Sequence, residues 1–242
     1  MTIRNGERTL PPPVQAVVDT ALGRGHRPDP VVTPSGGPAG NAQLTAWLGL
    51  TLLVLFLAEL VTVLDVRGLI SWHIGIGVLL IPPSILKAGT TSWRVVRYYR
   101  GEASYVHAGP PPLLLRALGP LVVLGTFAVL GTGVLVTLLG RGPAEQPYFR
   151  LLGNGVSPLT LHQASVIVWA VATGLHVLAR LASALQLLGA RSRLPGVRAR
   201  VVVLAIVAVV AAILAGAILA SDTEWTHGRL DRRTSSVAPA VP

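Results

Sequence analysis

Five apolar stretches of about twenty residues each leave few folds open to this chain. They cover 44–64, 72–92, 113–139 (in earnest after Arg116), 160–183 and 200–220. A helix rises about 1.5 Å per residue, so each run is long enough for a hydrocarbon layer of about 30 Å. Backbone amides and carbonyls find no water inside lipid, and a helix satisfies them within the segment. The composition agrees, with 51% hydrophobic and 12% charged residues. The expected fold is all-α, an integral membrane helical bundle with five transmembrane helices over 43–220, in the cell (plasma) membrane and in contact with its lipids. Residues 1–42, rich in Pro, Gly and Arg, read as a disordered tail, and 221–242 as a polar tail. No signal-peptide core precedes the first span, which is expected to stay uncleaved.

The net charge of +10 would suggest nucleic acid in a soluble protein. Beside membrane spans it reads instead as topology, with no nucleic-acid partner. Arg4, Arg8, Arg24 and Arg27 precede span one. Arg94, Arg97, Arg100 and Arg116 lie between spans two and three, and Arg191, Arg193, Arg198 and Arg200 between four and five. The other connections carry only Arg67, and Arg141 with Arg150. The positive-inside rule therefore puts the N-terminus in the cytoplasm and the C-terminus outside, against a mild opposing signal from Arg229, Arg232 and Arg233. Trp72, Trp93, Tyr98 and Tyr99 stand at interfacial positions. Spans two and four run the same way, so their N-terminal ends share a depth.

Both of those ends carry histidine. His73 opens span two, while span four has His162 near its start and His176 fourteen residues on. Fourteen helical residues cover about 21 Å and return to within about 40° of the same face. Paired histidines at such spacing recur where two helices hold a haem iron between imidazoles. His73 and His162 are the candidate ligands of one haem b, and His176 of a second. With no cysteine in the chain, disulfides, iron–sulfur clusters and covalently attached haem are excluded. The histidines also admit an interfacial role, bonded to water or headgroups.

The stripe from His73 continues through Gly77, Leu80, Ser84 and Lys87, and that from His162 through Val166, Trp169, Thr173 and His176. Gly75, Gly77, Ala164 and Ser165 leave room for a flat macrocycle, and equally suit close helix packing. Lys87 stands where a partner for His176 would be expected. It can reach the headgroups, pair a propionate or another anion, or ligate iron. His107 is the other possible partner. Pro82 and Pro83 between the two positions can kink the helix. Glu59, inside span one, can accept the second ring N–H of a ligating histidine or carry a proton, or be an acid bonded within the bundle; Asp65 follows at the boundary. Arg67 and Arg150 are candidate propionate partners. Gly125, Gly131 and Gly133 on span three read as helix-contact positions, and "GNG" at Gly153–Gly155 as a loop. His26 and His227 receive no role. Phosphate loops, zinc-protease motifs and nucleophile triads are absent.

The stretches "WHIGIGVLLIPPSILKAGTTSWRVVRYYRG", "HAGPPPLLLRALGPLVVLGTFAVLGTGVLV" and "LHQASVIVWAVATGLHVLARL" resemble actinobacterial b-type cytochrome membrane proteins. These lie near the cytochrome b subunits of formate dehydrogenase and hydrogenase. A His-x3-Gly span followed by a His-x13-His span is similar to the membrane part of some molybdopterin oxidoreductases. The likeness covers about 43–220. It implies a four-helix haem-binding core plus one further helix, with haem b on His73 and His162 and electrons passing between the quinone pool and a partner at the outer face. The partner would be a separate oxidoreductase subunit, of molybdopterin type among the options. A two-haem bundle normally supplies four histidines, and the spans here hold three, so one haem is the expected number and two the alternative. The chain would be an electron-transfer subunit of an oxidoreductase rather than a complete enzyme. A haem-free membrane anchor or assembly subunit, and a proton- or ion-coupled transporter component, are the other readings of the same residues.

Overall fold

The computed structural model describes residues 11–21, 33, 37–109, 113–189, 194–221 and 225. Five helical stretches in it are long and apolar enough to cross a membrane: Gly37–Leu64, Ile70–Tyr99, Arg116–Leu139, Pro158–Ala182 and Val197–Ser221. The protein is an all-α, multi-pass membrane bundle. Val54, Leu57, Val171, Leu178 and Ile213 project from these helices, more than half exposed, as side chains facing lipid do.

The elements in order are α1 (Pro12–Ala21), α2 (Gly37–Leu64), α3 (Ile70–Leu79), α4 (Ile81–Tyr99), α5 (Ala103–His107), α6 (Leu113–Leu139), α7 (Arg141–Glu145), β1 (Phe149–Leu151), β2 (Asn154–Val156), α8 (Pro158–Gly189) and α9 (Val197–Ser221). The five spans keep their expected places, but three boundaries move. Span one starts at Gly37, seven residues earlier than its apolar content requires. Span two is two helices meeting at Leu80, because Pro82 and Pro83 lack the N–H groups that would bond the carbonyls of Val78 and Leu79. Both prolines then sit in the first turn of α4, where a missing donor costs nothing. Span four runs on to Gly189.

Two small elements fall where loops or tails were expected. Pro12–Ala21 is helical, starts on a proline and packs against α8 and α6; most of the remaining tail lies outside the described residues. The segment read as a loop forms a hairpin, β1 pairing β2 antiparallel with Phe149 opposite Val156 and Leu151 opposite Asn154. Its two turn residues, Leu152 and Gly153, have φ of 51° and 82°. Positive φ at both positions matches the right-handed twist of the strands.

In the bundle α6 lies along α8, α2 along α4, and α3 against α9. Leu48, Leu52, Ile74, Val78, Leu80 and Ala172 fill the centre. Phe56 of α2 stacks on Trp169 of α8 at a centroid distance of 4.5 Å, and the Trp169 indole donates to Thr126 of α6 at 2.9 Å. This cross-brace divides the interior into two cavities, one at each end of the bundle.

Candidate functional site

The larger cavity, about 420 Å³, lies at the end where α3 and α8 begin. Its walls are largely apolar, including Leu60, Val78, Leu130 and Ile218. His73 and His162 enter it from parallel helices, with ring centroids 6.3 Å apart and planes at 75°.

The protons on these rings follow from their hydrogen bonds. Thr62 Oγ1 lies 3.0 Å from His73 Nδ1, and its hydroxyl donates to the Glu59 carbonyl at 2.6 Å. A threonine has one donor; with it directed to the carbonyl, the oxygen accepts from His73 in the tautomer that carries the hydrogen on Nδ1. Glu59 Oε1, 3.0 Å from the same nitrogen, is a second acceptor. His162 repeats the arrangement on another helix. Thr132 Oγ1 lies 3.0 Å from its Nδ1, and the Thr132 hydroxyl donates to the Ala128 carbonyl at 2.6 Å. Both rings are thus held at Nδ1, and in the Nδ1–H tautomer each offers the Nε2 lone pair.

Small residues make the approach possible. A Cβ on Gly133 would stand 3.2 Å from His162 Cε1, so glycine lets the ring lie against the α6 backbone. Gly77 lies beside Glu59, where a Cβ would meet Oε1 at 3.5 Å. Gly125 takes the Trp169 side chain, while a Cβ on Gly131 would meet nothing within 4 Å. Ser165 bonds the His162 carbonyl at 2.8 Å and reaches Thr132.

The second cavity, about 170 Å³, lies beyond the brace and contains Lys87, His176 and Arg180. Lys87 Nζ crosses to α2 and donates to the Thr45 carbonyl at 3.1 Å, passing over Gly49. Its side chain is directed into the bundle. Ser84 and Thr173 line the same space.

The expected residues therefore divide between the two ends. His73, His162, Glu59 and Gly77 meet at one, and His176 with Lys87 at the other. Arg67 and Arg150 are exposed and line neither cavity, and His107 is exposed on α5. Asp65 accepts from the Gly68 amide at 2.8 Å and closes the turn between α2 and α3. Thr62, Thr132, Thr126 and Arg180 escape notice in the sequence, as does Trp225, which lines the larger cavity with the Arg141 guanidinium 5.2 Å from its ring centroid. Among the described residues no group of three or more His, Cys, Asp or Glu is placed to hold a metal ion.

Fold and site together define a multi-pass all-α membrane protein with a histidine pair in an internal apolar cavity. No family model, no curated protein and no solved structure matches the chain.

Proposed function

We propose that the protein is a b-type cytochrome holding one haem between His73 and His162, and that it passes electrons between the quinone pool and a separate oxidoreductase subunit outside the membrane. The observation that carries the reading is the matched pair of rings, each held through Nδ1 and 6.3 Å apart. Two imidazoles that shared one metal at bond lengths of about 2.0 Å would have their centroids roughly 6 Å apart, and the observed 6.3 Å supports the reading.

Haem b, when bound, supplies one-electron redox chemistry. The chain's own residues do the rest. His73 and His162 present Nε2; Thr62 with Glu59, and Thr132, fix ring orientation and raise ligand basicity. The apolar walls exclude water from the pair. Both Nδ1 atoms are engaged by the protein interior, which supports a ligating role over an interfacial one.

A dithionite-reduced minus oxidised spectrum of protein purified from haem-replete cells tests this. Sharp b-type bands at one haem per chain are expected, lost in His73→Ala and in His162→Ala and kept in His176→Ala. Absence of bands in the wild type, with the protein folded, sinks the reading in favour of a haem-free anchor.

A further inference from the structure

The second cavity, at the opposite end from the histidine pair, holds a charge that needs an answer. Lys87 enters it from α4, inside a membrane span, and its hydrogen bond goes to a neutral carbonyl of α2. Arg180 comes in from α8. No acidic residue is among those lining the space. Ionisable groups at such positions pair with an opposite charge or have a task.

Three polar atoms in the same walls are buried without a hydrogen-bond partner among the described residues: Ser84 Oγ, Thr173 Oγ1 and His176 Nδ1. A buried polar atom left unsatisfied costs about 1–3 kcal/mol, so three at one place, beside the Lys87 ammonium, mark a prepared polar pocket. Hydroxyls and an imidazole can donate to an anion, as the ammonium does. The remaining walls, Leu50, Leu53, Phe56 and Val123 among them, are apolar. At about 170 Å³ the space is comparable to a cavity of about 150 Å³ that admits benzene, enough for a headgroup and the first carbons of one chain.

We propose that this cavity binds the carboxylate head of a single-chain amphiphile of the fatty-acid class. The carboxylate sits between Lys87 and Arg180, accepts from Ser84 and Thr173, and sends its chain along the apolar walls.

Native mass spectrometry of the delipidated full chain with oleate tests this, with oleyl alcohol and dioleoyl phosphatidylglycerol as comparison probes. Oleate is expected to bind at one per chain, and oleyl alcohol not to. Lys87→Met weakens oleate by roughly tenfold or more, the size of one lost charge-assisted bond, and Lys87→Arg restores it. The double variant Ser84→Ala/Thr173→Val weakens it several-fold, and carries the test if Lys87→Met fails to fold. His73→Ala leaves oleate binding unchanged, so the result stands apart from that of the haem test. Equal oleate binding by Lys87→Met or by the double variant, equal binding of the alcohol, or exclusion of oleate by phosphatidylglycerol overturns the proposal.

Discussion

Two threonines decide what the histidines can be. Threonines in a transmembrane helix commonly turn their hydroxyl back on a carbonyl one turn earlier, and Thr62 and Thr132 both do so. With that donor spent, each oxygen favours the Nδ1–H tautomer of the ring beside it, and does so without any charge. The two sites are unequal, because His73 has Glu59 in reserve. Thr132→Val is therefore expected to cost more than Thr62→Val. Loss of an outer partner lowers metal affinity about 10–100-fold, and the haem-to-protein ratio after purification should fall in that order. The opposite order would mean that Glu59 does not hold the ring. Glu59 makes a second claim testable. A carboxylate accepting from a ligand's N–H favours the oxidised iron, so Glu59→Gln should raise the midpoint potential by tens of millivolts, where about 59 mV is tenfold for one electron. Redox titration reads this directly, and a fall would reverse the assigned role.

At the level of helices, glycine placement separates the close contacts from the incidental ones. Gly131 and Gly133 look alike in the sequence, but a side chain at Gly133 meets the His162 ring and one at Gly131 meets nothing. Gly133→Leu should abolish the b-type bands while the protein still runs as a folded monodisperse species in detergent, and Gly131→Leu should leave the spectrum intact. Equal spectra for the two variants would remove α6 from the site. This pair also shows what could be read beforehand. Spans, their number and the shared depth of His73 and His162 follow from apolar length and spacing, which are local properties. That Thr132 faces His162 depends on α6 lying along α8, and no residue of either helix announces its neighbour. The hairpin after α7 was hidden differently. Its strands are three residues long and its turn starts on Leu152, a residue that rarely takes a positive φ. Lys87 was legible as an anomaly, but its direction was not, because the small residue that admits its ammonium, Gly49, is on another span.

For the whole molecule, the absence of cysteine turns topology into a clean measurement. Leu152→Cys, at the 94% exposed tip of the hairpin, should react with a membrane-impermeant maleimide in intact cells, and His107→Cys only after lysis. The reverse pattern would invert the bundle and put the histidine pair at the cytoplasmic side. The chamber also ties distant parts of the chain together. Trp225 lines it from beyond α9, and the Arg141 guanidinium of α7 lies 5.2 Å from the Trp225 ring centroid. Segments on either side of α8, more than eighty positions apart, therefore meet at that end of the bundle, and a change in the connection after α6 is felt at the wall of the chamber.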